Sequence, residues 1–191
     1  MSRNKRAVLT AGLFVLIVLL LFVATVLIVR WPNSRLAATE QYAVYSAYLE
    51  SEITENFHDY GTGRGFVLLI QDKTTLARVA APRFRRLRTD APALQDATLI
   101  NFVAENLVSQ VLAKQFRLPV NYELLPEEQL VKPGSSAEYV TVSRVGFNKD
   151  LSQALFYTEH ICGLCGGGGY VLMERRFGQW RVKAFLSTWV S

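Results

Sequence analysis

The sequence predicts an α+β domain carried behind one apolar N-terminal segment. Three observations support that reading. Residues 7–29 form an uncharged run of 23 positions. Two later stretches carry apolar residues at helical spacing, and the chain after Pro119 breaks into short, turn-punctuated segments of strand character. The expected architecture is two amphipathic helices on one face of a mainly antiparallel sheet of about five to six strands.

The first element is the apolar run. As a helix it would extend about 35 Å, enough to cross a hydrocarbon core of roughly 30 Å while satisfying its own backbone hydrogen bonds. A cleavable signal peptide would have a shorter apolar region ending in a small-x-small site, which Val26 to Trp31 does not offer. Arg3, Lys5 and Arg6 precede the run, and only Arg30 and Arg35 follow closely. This asymmetry predicts a cytoplasmic flank at 1–6, a transmembrane anchor at 7–29 and an extracytoplasmic domain at 35–191. Trp31 suits the outer interface, and Pro32 ends the helix.

The same flank accounts for most of the charge. The chain has a net charge of +5 and a pI near 9.4. Residues 1–30 hold four basic residues and no acid, leaving 17 basic and 16 acidic residues for the rest. A nucleic-acid binder needs its excess on the domain itself, so that class is excluded.

Ser34 can cap a helix over about 35–57, with Tyr42, Tyr45, Leu49, Ile53 and Phe57 on one face. This helix is acidic. Gly61-Thr-Gly-Arg-Gly65 reads as a turn before a buried strand, 66–70; phosphate-binding glycine loops instead follow a strand and open a helix. A basic stretch follows, with Arg78, Arg83, Arg85, Arg86 and Arg88. Asp90 and Pro92 suit the start of a second helix running to about Phe116, with Leu99, Phe102, Val103, Leu107 and Val111 as its apolar face. Val120–Leu125, between prolines, is an expected edge strand. Strands are then expected over 139–147, 154–161, 170–177 and 180–190. The last should place Trp180, Val182, Ala184 and Leu186 on one face. Short connections make these strands a meander.

Cys162-Gly-Leu-Cys165, followed by four glycines, is the most distinctive local feature, and these are the two cysteines of the chain. A redox pair of thioredoxin type would need a helix after the motif, which Gly166–Gly169 disfavour. A zinc site could use His160, Cys162 and Cys165, with His58 or another group as the fourth ligand. The plainest reading is a structural disulfide, or two packed thiols, in a hairpin loop whose glycines permit unusual backbone angles. The Arg78–Arg88 cluster either binds an anionic partner, such as lipid head groups or a cell-wall polymer, or packs against the acidic first helix; the second is preferred. Glu159 and His160 are strand neighbours and so point to opposite faces. Ser143 and Ser187 lack any nucleophile signature.

Ser143-Arg-Val-Gly-Phe-Asn148, Gln153-Ala-Leu-Phe-Tyr157, Cys162-Gly-Leu-Cys-Gly166, Tyr170-Val-Leu172 and Trp189-Val-Ser191 together resemble the C-terminal block of a family of uncharacterised exported bacterial proteins. The resemblance covers about the last fifty residues. It implies an extracytoplasmic bacterial domain and no assigned activity. The element order is also similar to cystatin-like and nuclear-transport-factor-like folds, a likeness that implies no function. The sequence thus predicts a binding or interaction domain on the outer side of a bacterial cytoplasmic membrane, with no catalytic motif and no cofactor. Its partner would be an envelope protein or an anionic polymer. The alternative is a zinc-binding or thiol-redox protein centred on His160, Cys162 and Cys165.

Overall fold

The computed structural model describes residues 34–55, 67–77, 81–130, 138–162 and 165–191. Residues 37–191 belong to one compact unit. The expected cytoplasmic flank and anchor, Phe57, His58, the Gly61–Gly65 turn and Arg78 lie outside the described residues. Among the described residues no helix is long and apolar enough to cross a membrane.

The chain enters through α1 (Ser34–Glu55) and continues into β1 (Val67–Gln71), α2 (Ala81–Asp90) and α3 (Asp96–Glu105). Next come β2 (Asn121–Leu125), the single turn α4 (Glu127–Leu130), β3 (Glu138–Val142) and β4 (Gly146–Phe147). Three long strands finish the chain: β5 (Gln153–Cys162), β6 (Cys165–Arg176) and β7 (Gln179–Val190). The described strands form one sheet in the order β2-β1-β3-β5-β6-β7, with β4 added on β5. The fold is α+β, but the sheet is mixed. β1 pairs in parallel with both β2 and β3, while β3 through β7 are antiparallel.

The helices do not share a face, contrary to the sequence expectation. Tyr42, Tyr45, Tyr48, Leu49 and Ile53 of α1 pack on Val140, Val142, Phe156, Val171 and Met173. Leu87 of α2 and Leu99 and Phe102 of α3 pack instead with Leu155, Tyr170 and Leu172. Alternation along β5 and β6 explains this arrangement. The first half of β5 and the paired Tyr170–Met173 run of β6 are apolar on both faces, so each face needs its own helical cover. The Arg-rich α2 is therefore separated from the acidic α1 by the sheet. Arg86 pairs with Asp90 at 3.3 Å and Arg88 with Asp96 at 2.7 Å, so these two described arginines pair beside α2 and α3 rather than with α1 as expected.

The second helix also differs from expectation. Pro82 opens α2 with the first-turn signal that was read at Pro92, and α3 stops at Glu105. The Asn106 side chain donates to Phe102 O and Arg144 O, and its Oδ1 accepts the Arg144 N–H, which holds the α3 end against the β3–β4 link. Leu107 and Val111 are exposed rather than part of an apolar stripe. The chain then runs beside 72–74 through the Lys73–Val111 bridge, bringing Leu112 and Phe116 under α1. The expected 139–147 strand is split by Ser143–Val145. A bulge between Leu172 and Met173 divides β7, so Trp180 packs on the α1 side while Ala184 and Leu186 reach the other. The glycine tract, expected as loop, lies inside β6 and pairs on both sides.

Candidate functional site

β5 and β6 pair without interruption from Gln153–Glu174 to Cys162–Cys165, making an arm that ends in the cysteine pair. Cys162 and Cys165 form a disulfide, with Cα atoms 5.0 Å apart. In this state the two sulfurs are bonded to each other, so they cannot act as thiolate ligands. Among the described residues no group of three or more His, Cys, Asp or Glu is placed to hold a metal ion.

The register sorts the polar side chains of the arm onto two faces. Glu138 stands opposite Cys162, and Val140 opposite His160. Cross-strand partners point the same way, so Glu138, His160 and Cys162 share the α1 face. His160 Nε2 lies 2.6 Å from Glu138 Oε1, both side chains being about one-third exposed. Tyr48, Leu49 and Glu52 of α1 close over His160, Thr158 and Leu68 around a cleft of about 20 Å³. That is room for a single water, not for a substrate. Burial pushes the Tyr48 phenol well above its ordinary range, with the Glu52 carboxylate adding to the shift as charge and hydrogen-bond acceptor. Tyr45, sealed deeper, donates to Ser143 O at 2.6 Å and is likewise raised, chiefly by burial.

The opposite face carries a different set. Tyr157 donates to Glu159 Oε1 at 2.9 Å, and Trp189 Nε1 donates to Tyr157 Oη at 3.1 Å and to Glu159 Oε1 at 3.3 Å. Gly166 and Gly168 make the room. A Cβ at Gly168 would stand 2.6 Å from Trp189 Nε1 and 2.9 Å from both Tyr157 Oη and Glu159 Cγ; one at Gly166 would meet the far edge of the same indole at 3.2 Å. The glycines thus form a trough in which Trp189 lies flat against the backbone, an aromatic ring covering residues that have no side chain to pack. Thr188 donates to Gly168 O at 2.8 Å and pins the end of β7 there.

Tyr139 extends this shelf toward α4. Its phenol is raised first by burial and then by the charges of Glu127 and Glu159, and Tyr157 is raised first by burial. Both phenols therefore stay protonated at neutral pH. Glu159 Oε2 faces the Thr141 hydroxyl at 3.5 Å, a weak contact that leaves it acceptor capacity. The shelf is half-buried and combines three aromatic rings with the Glu159 carboxylate.

The structure therefore brings His160, Cys162 and Cys165 onto one arm, as their spacing implies, and adds Glu138. Of the basic cluster, Arg85, Arg86 and Arg88 are exposed along α2, and the Arg83 side chain lies outside the described residues. Glu138 carries no sequence signal, because its approach to His160 needs the β3–β5 register across 22 positions. Tyr157, Glu159 and Trp189 are ordinary strand residues in the sequence. The four glycines were the one available clue that something large lies over them. No protein-family model, curated protein or solved structure matches this chain.

Proposed function

We propose that this chain is a membrane-tethered binding domain, anchored by residues 7–29 with its folded part on the outer side of a bacterial cytoplasmic membrane. The uncharged run and its basic flank support the tether. A disulfide at an exposed tip suits an oxidising compartment. The observation that carries the binding reading is the Tyr139–Tyr157–Glu159–Trp189 shelf, where ring faces and a carboxylate meet on the sheet. Such a surface favours a cationic group, an amine or guanidinium of an envelope partner, through ring quadrupole and charge together.

Trp189 emission tests this in the full chain in mild detergent, titrated with tetramethylammonium chloride against equal sodium chloride. A saturable response to the organic cation alone is expected. It should disappear in Trp189→Phe and weaken several-fold in Glu159→Gln, as a contribution of about 1–2 kcal/mol implies. Identical responses to the two salts would remove the reading.

A second reading is favoured by one observation, the Glu138–His160 pair on the face of Cys162. After reduction by an external dithiol, His160, Cys162 and Cys165 would become available to zinc, with Glu138 as an oxygen ligand. Zinc analysis of the reduced chain under inert gas separates the two: near one equivalent, lost in His160→Ala, supports the metal reading.

A further inference from the structure

The β6–β7 turn points to a second contact, away from the arm tip. Phe177 is fully exposed, at 105% of its reference area, and sits with Gly178 in a two-residue turn. Its φ is +51° and that of Gly178 is +81°. Both values belong to the left-handed region, where hairpin turns of this length favour Asn or Gly at the first position. A phenylalanine there gains nothing from the fold, since it strains the backbone and packs on nothing.

Its surroundings are basic. Arg175, Arg176, Arg181 and Lys183 lie within six residues, and Lys149 and Asp150 occupy the adjacent β4–β5 turn, held there by the Arg175 N–H to Ser152 O bond. The described acids of this end are Asp150, Glu174 and Glu40. Glu174 holds Arg176 and Lys183, and Glu40 holds Arg175 at 3.1 Å and the Trp180 indole N–H at 2.8 Å. Glu40 belongs to the second turn of α1. The end of the sheet that presents Phe177 is therefore the end at which the chain enters the domain, eleven residues after Val29.

We infer that the β6–β7 turn docks on the bilayer, with Phe177 seated at the acyl boundary and Arg176, Arg181 and Lys149 toward anionic lipid head groups. An aromatic ring ringed by cations matches the interface of an anionic leaflet. If residues 7–29 cross the bilayer, the eleven positions from Val29 to Glu40 limit in chain length how far this end can stand from the lipid surface. The inference rests on the membrane-tether reading.

The test uses the full chain reconstituted in vesicles of phosphatidylcholine and phosphatidylglycerol, with and without brominated acyl chains. Trp31→Phe removes the tryptophan nearest the apolar run, and Phe177→Trp in that background adds a reporter at the turn. The added emission is expected to be quenched by brominated lipid and shielded from iodide, and Arg176→Glu with Arg181→Glu should reverse both effects. If the reporter stays open to iodide and unquenched by lipid while Trp31 of the unaltered chain is quenched, the docking is wrong and the tether stands. Shielding from both quenchers would mean that protein covers the turn, and would overturn the lipid assignment. A chain that does not float with vesicles at all overturns tether and docking together.

Discussion

Single residues decide how close the layers come. A Cβ on Gly146 would stand 2.2 Å from the Phe102 backbone, so β4 can lie against α3 only with glycine there. Gly168 sets the Trp189 trough in the same way, but against three side chains already bonded to one another. Gly168→Ala must therefore displace the indole or break the Tyr157–Glu159–Trp189 network, at an expected cost of about 1–3 kcal/mol. Gly167, one position along on the opposite face, has its nearest neighbour at 3.4 Å. Gly167→Ala should fall within about 1 kcal/mol of the parent. Urea midpoints give the stabilities, and Trp189 emission should shift in the first variant alone. Equal behaviour of the two would mean that the glycines serve only as a flexible hinge.

At the scale of elements, the N-terminal end of α3 is joined to the sheet by one buried side chain. Gln95, at the N-cap of α3, makes no side-chain cap of its own. Gln153 of β5 supplies the acceptor instead, taking the Gln95 N–H at 2.8 Å and the Thr98 hydroxyl at 2.9 Å, while its Nε2 donates to Ala93 O. Gln153→Leu preserves volume and leaves those groups without their partner. A loss of about 2–4 kcal/mol is expected, together with faster amide exchange at Gln95. Unchanged exchange there would show that the N-terminal end of α3 is held by packing and not by Gln153. No sequence signal joins Gln153 to a helix 58 positions away, and this is the general limit on what was legible. α1, the edge strand β2 and the β5–β6–β7 order could be read because their signals are local: apolar spacing, flanking prolines, tight turns. The parallel pairs of β1, the division of helices between two faces and the Glu138–His160 approach all depend on register, which periodicity does not encode. The glycine tract misled for a related reason, since its partner is an indole from another strand.

At the largest scale, the described residues of the 37–191 unit form two cores divided by one sheet, and β5 and β6 belong to both. Phe156 faces Tyr45 and Tyr48 on the α1 side, whereas Leu155, its immediate neighbour, faces the α3 side with Phe102 and Tyr170. Neither strand can leave one core without opening the other, so the two cores should unfold as a unit. Phe156→Ala and Phe102→Ala each remove a fully buried ring and are expected to cost about 3–5 kcal/mol. That is a large part of the roughly 5–15 kcal/mol a domain of this size holds. Trp180, buried in the α1-side core, and Trp189, on the opposite face, report the two sides separately. In mild detergent, variants retaining one of these indoles at a time should give coincident urea transitions for either truncation. If Phe102→Ala instead moved the Trp189 transition and left that of Trp180 in place, the sheet would be a boundary between two folding units. The arm with its shelf could then open while α1 stays docked, and ligand binding at Trp189 would couple to that local opening rather than to global stability.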